Sequence, residues 1–269
     1  MADQAEKGQV FKTLHENEET FVIPNPWDAG SARLLAGLGF KALATTSAGF
    51  AQSLGRLDGQ ITLEEKIDHC RDLCSVTDLP VSADFENGFA DAPEEAAANL
   101  LRLAETGVVG ASIEDYSGSA IYDFNLAVER ITACVEAVSR LTFPFTLTAR
   151  AENLLRGVND LDDTINRLLA FEAAGAQVLY APGLKTIEQV KTVVAAVKQP
   201  VNVLFAFMPQ VTLDQYSAAG VCRVSLGGAL ANHAIGSTIA AANQISESGS
   251  FDWVKDAAPG GLVKKLLDR

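Results

Sequence analysis

The sequence predicts a (β/α)8 TIM barrel, in which eight parallel strands alternate with eight helices around one core. Short apolar segments rich in β-branched residues alternate with longer helical patterns along nearly all of the 269 residues. Glycines mark several of the joints between a helical pattern and the next strand. No glycine-rich phosphate-binding loop follows the first strand, which disfavours a doubly wound open sheet. Residues 1–269 are therefore expected to form a single barrel domain.

Eight segments have the composition of buried parallel strands, because they are short, apolar and bounded by turn residues. They are Thr20–Pro24, Ala42–Ser47, Val81–Phe85, Gly110–Glu114, Phe145–Ala149, Gln177–Ala181, Val201–Phe205 and Arg223–Leu226. Between and after them, apolar residues recur at helical spacing. The clearest helical patterns are Leu63–Val76, Pro93–Thr106, Leu126–Arg140, Leu161–Ala174, Ile187–Val197 and Ala229–Ser246.

Four joints from helix to strand share one form, in which a glycine comes shortly before the apolar strand. The glycines are Gly39, Gly107, Gly175 and Gly220. Glycine adopts the left-handed conformation that commonly ends a helix. The sequence therefore predicts a left-handed cap at each of these positions.

A ninth segment, Phe251–Arg269, follows the eighth strand–helix unit. It is predicted to be a helix with Leu262, Leu266 and Leu267 on one stripe. Two positions are open for this helix. It packs on a neighbouring subunit, or it closes the bottom of its own barrel.

The charge balance excludes some classes of function. Lys and Arg number 21 and Asp and Glu number 34, so the formal net charge is −13. Nucleic-acid binding requires a basic face, and anionic membranes repel an acidic protein. An acidic substrate would need a local source of positive charge, for which a metal ion is one candidate.

The expected compartment is the cytoplasm. The segment Met1–Glu19 lacks the apolar stretch of a signal peptide, and no run approaches the ~18 apolar residues of a transmembrane helix. Four cysteines in a chain of this length do not form a disulfide framework. Cys70 and Cys74 share one face of a helical pattern and are expected to pack in the core.

Acidic side chains gather where predicted strands end. Asp84 and Glu86 are two residues apart at the third strand, so they share a face, and Glu114 ends the fourth strand. In a TIM barrel these strand ends meet at the catalytic mouth. Oxygen ligands without nearby Cys or His indicate Mg²⁺, or Mn²⁺, rather than zinc. The alternative is that these acids are solvated loop residues or helix caps, an alternative that applies most readily to Asp115.

Other strand ends carry groups that suit an anion. Ser47, Ala48 and Gly49 are small residues whose backbone amides can approach a ligand, although small residues at a strand end usually just form a turn. Arg150 ends the fifth strand, and its planar guanidinium suits a carboxylate or a phosphonate. It could instead pair with Glu114 or Glu152.

In this order and spacing, the motifs resemble the isocitrate lyase/phosphoenolpyruvate (PEP) mutase superfamily over essentially the whole chain. The matching pieces are Pro24–Ala29, Thr45–Gly49, Gly55, Asp58, Ser82–Asp84 with Glu86 and Gly88, Ile113–Asp115 and Thr148–Arg150. The resemblance implies a TIM barrel whose last helix is exchanged between subunits, and a homotetramer built as a dimer of dimers. It also implies Mg²⁺ and small carboxylate substrates that pass through an enolate.

The same resemblance implies roles for individual residues. Ser47, Ala48 and Gly49 would hold a substrate carboxylate or enolate oxygen, and Arg150 would neutralise the carboxylate. Asn202 is a further substrate-binding candidate. Asp84 would be the closest ligand of the metal. The rest of the metal shell would come, partly through water molecules, from Asp58, Glu86 and Glu114.

One departure from the family concerns the loop after the fourth strand. Isocitrate and methylisocitrate lyases carry a Lys-Lys/Arg-Cys-Gly-His sequence there, whose cysteine is the expected proton donor. The corresponding segment, Asp115–Asp123, contains no Cys, His or Lys. Tyr116 and Tyr122 are the candidate catalytic donors in this loop, and packing or a lid role is the alternative. The gating loop of the phosphonate enzymes, with its Lys and Asn, is not evident either.

Three functions remain open from the sequence. The first is a Mg²⁺-dependent lyase that acts on a C–C bond of a small α-keto or 2-hydroxy acid, like oxaloacetate decarboxylase or methylisocitrate lyase. The second is a phosphonate enzyme, either a phosphonomutase or phosphonopyruvate hydrolase. The third is an α-keto acid-binding protein without catalysis.

Overall fold

Eight parallel strands form a barrel in the computed structural model, which describes residues 2–17 and 19–268. The strands are β1 (Phe21–Ile23), β2 (Leu43–Ala44), β3 (Val81–Asp84), β4 (Gly110–Glu114), β5 (Thr146–Arg150), β6 (Val178–Tyr180), β7 (Val201–Leu204) and β8 (Arg223–Ser225). Their order in the sheet is β1-β8-β7-β6-β5-β4-β3-β2. The Ala44 amide donates to the Pro24 carbonyl at 3.0 Å, which joins β2 to the end of β1 and completes the ring. The predicted (β/α)8 barrel is confirmed.

Helices surround the strands in the expected alternation. They are α1 (Gln4–Glu16), α2 (Ala29–Gly37), α3 (Ser47–Ser53), α4 (Leu63–Ser75), α5 (Pro93–Ala104), α6 (Phe124–Val138), α7 (Leu161–Ala173), α8 (Ile187–Ala196), α9 (Leu213–Ala218), α10 (Ala229–Ser248) and α11 (Gly260–Leu267). Short 3-10 turns occupy Phe205–Phe207 and Asp252–Asp256. Local sequence fixes several helix starts. For example, Thr62 and Glu65 form a reciprocal capping box at α4.

The glycine joints have the predicted left-handed backbone. The φ angles of Gly39, Gly107, Gly175 and Gly220 are 92°, 102°, 101° and 79°. Each glycine therefore ends its helix and turns the chain into the next strand. Cys70 and Cys74 also lie where the sequence places them, in the buried core cluster.

Helix α1 closes the end of the barrel at which the strands begin. Phe11 of α1 is fully buried and lies so close to Gly110 that a Cβ atom added there would be 2.8 Å from its ring. Phe11 packs with Phe21, Ile23 and Val109 in one apolar cluster. A ligand therefore has access from the opposite end, where the strands end.

The C-terminal segment differs from the single helix predicted for Phe251–Arg269. The chain forms a 3-10 turn, passes Pro259, and then forms the eight-residue α11. Proline and the following glycines, Gly260 and Gly261, disfavour a continuous helix. Helix α11 lies against α2 of the same barrel, where a Cβ atom added to Gly37 would be 3.0 Å from Leu266.

Helix α10 contrasts with the other barrel helices because it is almost entirely exposed. Ala231 is its one buried residue. Ile235, Ile239 and Ile245 are large apolar side chains exposed along it. Within residues 2–17 and 19–268, no helix is both long enough and apolar enough to cross a membrane.

Candidate active site

A cavity of about 490 Å³ opens where the strands end. Its wall is polar and contains residues from β3, β4, β5 and β6 together with the loops that follow the strands. The predicted site residues that line it are Ser47, Ala48, Asp58, Asp84, Glu86, Glu114, Tyr116 and Arg150. The structure thus brings together residues that are separated by up to about a hundred positions in the sequence.

Asp84 lies at the centre of this group. Its Oδ2 accepts a hydrogen bond from the Ser47 amide at 3.0 Å, and its Oδ1 lies 3.4 Å from Nη1 of Arg150. Burial opposes ionisation of this carboxyl, but the positive charges of Arg150 and Lys66 outweigh that effect and lower the pKa of Asp84. Asp84 is therefore an anion at neutral pH.

The sequence reasoning did not single out Lys66, which lies on the buried side of Asp84 and is connected to it through Thr45. It is fully buried on α4, and its Nζ donates to Thr45 Oγ1 at 2.9 Å. The same Thr45 oxygen accepts the Asp84 amide at 2.9 Å. A lysine among the acidic and polar residues of a helix pattern resembles an ordinary surface residue, so the sequence contained no signal for this position.

Glu86 has a backbone and a side chain that are unusual for a structural residue. Its φ is 49°, a left-handed conformation that costs a non-glycine residue energy. Its Oε1 is buried and has no hydrogen-bond partner. Burial, together with repulsion from Asp84, raises the pKa of Glu86 to about 7. An unsatisfied, buried carboxylate oxygen beside a second carboxylate is suited to a cation.

Glu114 has a similar environment. Burial raises the pKa of Glu114, and the neighbouring carboxylates of Glu152 and Asp84 raise it further against the opposing effect of Arg150. No three His, Cys, Asp or Glu side chains in the described part of the chain approach closely enough to hold a metal ion by themselves. The donor set fits a cation such as Mg²⁺, which usually keeps several water ligands and takes only one or two carboxylates.

Arg150 is the positive counterpart of these acids. Nη1 lies 3.4 Å from both Asp84 Oδ1 and Glu114 Oε2, and Nε donates to Glu152. The guanidinium also lies over the ring of Tyr180, with 5.1 Å from its carbon to the ring centroid. Arg150 thus forms the ion pairs that the sequence left open and also lines the cavity.

A second arginine reinforces this network and was missed by the sequence reasoning. Arg156 approaches Glu152 Oε2 at 2.9 Å and Glu114 Oε1 at 3.9 Å, and it stacks on Tyr116 at 3.8 Å. It lies in the loop after β5, where an arginine next to Gly157 suggests only a solvated turn. By contrast, Asp115 has a structural place, because it is buried and paired with Arg167 at 3.0 Å.

The segment Ser47–Gly49 begins α3, and only part of it faces the cavity. Ser47 and Ala48 line the cavity, whereas the Gly49 amide donates to Thr46 Oγ1 at 3.2 Å. A Cβ atom on Gly49 would lie 2.7 Å from Thr46 and 3.0 Å from Trp27. Glycine is therefore required for close packing at this turn.

The three remaining candidates have different positions. The Tyr116 hydroxyl donates to the Gly118 carbonyl at 2.9 Å, at the rim of the cavity. The Tyr122 hydroxyl contacts Asp91 and Asn87 (2.9 Å) and does not line the cavity. Asn202 lies deeper in the barrel, where it donates to Ser225 at 3.0 Å.

Tyr180 is a further residue that the sequence reasoning missed. It ends β6, is buried and lines the cavity. Burial raises the pKa of Tyr180 to about 12, so its hydroxyl keeps its proton at neutral pH. A tyrosine at the end of an apolar strand has the same sequence pattern as a core aromatic residue, which explains why it was overlooked.

The model of the phosphoenolpyruvate phosphomutase family matches residues 11–246, so this chain belongs to that family. It is thereby an enzyme of the isocitrate lyase/PEP mutase superfamily, whose members include lyases that act on C–C bonds. The resemblance inferred from the motifs is confirmed.

Three similar proteins illustrate the range of this superfamily. A Burkholderia cenocepacia J2315 protein described as a lyase/mutase has a crystal structure with a TM-score of 0.96 and 48% identity, covering 99% of this chain and 97% of that one. The 2-methylisocitrate lyase of Escherichia coli K12 is 28% identical over 80% of this chain and 76% of its own length. The oxaloacetate decarboxylase of Ectopseudomonas mendocina is 27% identical over 84% and 80%.

Proposed function

We propose that this protein is a Mg²⁺-dependent C–C lyase that decarboxylates oxaloacetate or a closely related small α-keto acid. Mn²⁺ is expected to replace Mg²⁺. The observation that carries this proposal is the composition of the cavity, which combines Asp84, Glu86 and Glu114 with Arg150 but contains no Cys, His or Lys among its described lining residues. Among the candidate reactions, decarboxylation depends least on a cysteine as proton donor, because it needs only polarisation of the keto group and a proton delivered afterwards.

The residues of this chain have distinct roles in the proposal. Arg150 binds a substrate carboxylate, for which its planar fork is suited. Asp84 and Glu86 would hold the cation, and Glu114 and Asp58 would complete its shell, partly through water. When bound, the cation would stabilise the enolate that forms as the C–C bond breaks. The small Ser47–Ala48 turn leaves space for the keto acid beside Asp84.

The proton that completes the reaction needs a donor. Tyr180 is the best placed tyrosine, because its buried side chain lies against Arg150 on the cavity wall, where its hydroxyl also contacts the Ser225 hydroxyl. Tyr116 is the second candidate, and its hydroxyl already donates to the Gly118 carbonyl. We therefore assign proton donation to Tyr180, with Tyr116 as a rim residue that covers the ligand.

The test is pyruvate release by the purified protein from a panel of acids. The panel contains oxaloacetate, 2-methylisocitrate and phosphonopyruvate, each with Mg²⁺, with Mn²⁺ and with EDTA. The rate with metal but without protein is subtracted. We expect release from oxaloacetate that requires the cation and is lost in Asp84→Ala but retained in Asp72→Ala, a change at an exposed position of α4.

Other results would select other functions. Consumption of phosphonopyruvate alone would replace the proposal with a phosphonate enzyme, a hydrolase if pyruvate and phosphate form and a mutase if phosphoenolpyruvate forms. Metal-dependent binding of oxalate without any turnover would indicate a binding protein.

We also propose that the protein is a homotetramer in which α10 packs on a neighbouring subunit. The support is the exposure of α10, whose apolar side chains have no cover within the described chain. Residues 251–268 follow α10, and α11 returns to α2. In this proposal α10 is the exchanged element, and α11 lies against α2 of its own barrel.

A further inference from the structure

The interior of the barrel beneath the active site is polar. TIM barrels usually fill this space with bulky branched apolar side chains. Here Ser82, Ser112, Asn202 and Ser225 line an inner cavity of about 60 Å³. This volume is well above the ~15 Å³ that a single water molecule needs. The inner cavity shares Asp84, Arg150 and Tyr180 with the wall of the active site above it.

Arg223 lies at the base of the inner cavity. It is the first residue of β8 and is 5% exposed. Its Nε donates to Asn202 Oδ1 at 2.8 Å, and its Nη2 donates to Thr148 Oγ1 at 3.0 Å. Its Nη1 lies 3.0 Å from Nε2 of His15. A guanidinium has five N–H donors, so these contacts leave two of them without a named partner.

All three partners of Arg223 are neutral. Burial, together with the charge of Arg223, lowers the pKa of His15 to about 3. His15 Nδ1 lies 2.8 Å from the Phe11 carbonyl, so this nitrogen carries the proton and Nε2 accepts from Arg223. No ion pair among the described residues includes Arg223, although burial lowers its pKa only to about 10 and leaves it charged at neutral pH.

A buried charge without a counter-ion is strongly unfavourable. Asp84 is the acidic residue in the wall of the inner cavity, but it pairs with Arg150 at 3.4 Å, and no carboxylate of the described residues forms an ion pair with Arg223. Within the described chain, the guanidinium of Arg223 therefore has hydrogen-bond partners but no carboxylate in direct contact. Ser82 and Ser112 place hydroxyls in the wall of the same cavity, where they can donate to a small ligand, whereas the Ser225 hydroxyl already donates to the Val203 carbonyl at 3.4 Å.

We propose that the inner cavity binds a small monovalent inorganic anion of the size of chloride, held by Arg223 and the hydroxyls of Ser82 and Ser112. The anion supplies the counter-charge that the protein lacks. It would lie under the active site, between side chains of β3, β4 and β8. This site does not depend on the proposed lyase activity.

The experiment uses the full-length protein with halides as probes. Crystals soaked in sodium bromide are measured at the bromine absorption edge, and thermal unfolding is followed in potassium chloride and in potassium gluconate at equal ionic strength. We expect an anomalous peak within hydrogen-bond distance of Arg223 and a saturable rise of Tm in chloride but not in gluconate. The rise disappears in Arg223→Met.

A milder variant keeps the test informative if Arg223→Met does not fold. Ser112→Ala removes one hydroxyl of the inner cavity. It is expected to raise the chloride concentration that gives half of the Tm increase by at least threefold. Ser139→Ala, at the exposed end of α6, leaves it unchanged. Water molecules alone in the inner cavity, or a Tm that follows ionic strength equally in both salts, would overturn the proposal.

Discussion

Arg150 is the residue on which the charges of the active site converge. It lies within 3.4 Å of Asp84 and Glu114, and it also donates to Glu152. The sequence predicted the convergence of Asp84, Glu86, Glu114 and Arg150, because residues at the ends of parallel barrel strands share one mouth. It did not predict Tyr180 or Arg223, since the packing of a side chain inside the barrel depends on neighbours from distant strands.

The binding role of Arg150 is tested by Arg150→Ala. Loss of a charge-assisted, bidentate contact is expected to weaken binding of oxalate in the presence of Mg²⁺ by at least about tenfold, or ~1.4 kcal/mol. Isothermal titration calorimetry gives the dissociation constant. Arg140→Ala, at an exposed position near the end of α6, serves as the control. An unchanged constant in Arg150→Ala would refute this placement.

The donor assignment is tested by replacing each tyrosine with phenylalanine. A positioned general acid typically contributes about 10²–10⁴-fold to the rate. Tyr180→Phe is therefore expected to lower kcat for oxaloacetate at least a hundredfold while oxalate binding changes little. Tyr116→Phe is expected to have a smaller effect, because its hydroxyl lies at the exposed rim of the cavity and donates to the Gly118 carbonyl.

Tyr122→Phe completes this comparison. The Tyr122 hydroxyl is held by Asp91 and Asn87 outside the cavity, so its loss should reduce stability rather than kcat. A larger loss of kcat in Tyr116→Phe or Tyr122→Phe than in Tyr180→Phe would transfer the assignment to that residue.

Among the helices and strands, the sequence predicted the repeating barrel elements well and the C-terminal segment poorly. Glycine joints and apolar periodicity are local signals, and the barrel strands and helices follow them closely. The segment Phe251–Arg269 contains an apolar stripe that suggests one helix, but Pro259 and the two glycines after it divide the segment. The exposure of α10 depends on where the chain leaves the barrel, which no local pattern records.

Alanine substitutions at two of the glycine joints distinguish the cost of backbone strain from the cost of a steric clash. Gly39 and Gly175 have similar φ angles of 92° and 101°, but a Cβ atom on Gly39 meets nothing within 4 Å, whereas one on Gly175 would lie 2.9 Å from Val135. Gly39→Ala is expected to lower the free energy of unfolding by ~1 kcal/mol through strain alone. Gly175→Ala is expected to cost ~1–3 kcal/mol more, because Val135 must move.

Urea denaturation of both variants provides the measurement. The m-value should stay at the wild-type value, so the midpoints report stability directly. Equal losses in Gly39→Ala and Gly175→Ala would show that Val135 yields without cost and that strain dominates at both joints.

The net charge of −13 affects how whole subunits associate, because it makes a stable interface require apolar contacts. Like charges on two copies repel, so an interface needs an area where apolar side chains meet. Helix α10 offers this area, with Ile235 and Ile239 one helical turn apart and 39% and 55% exposed. Phe251 and Val254, which follow the helix in the chain, are also apolar and are 65% and 59% exposed.

The proposed exchange of α10 is tested by Ile239→Glu. A charge in the centre of an apolar interface is left without a partner when it is buried, which is strongly unfavourable. We expect the wild-type protein to be a tetramer and Ile239→Glu to form smaller species, as measured by light scattering after size-exclusion chromatography. Leu169→Glu on α7, where the leucine is 40% exposed, adds the same charge outside α10 and should leave the tetramer intact. A wild-type protein that is monomeric at micromolar concentration would contradict the exchange, and α10 would then be exposed in solution as it is in the single chain.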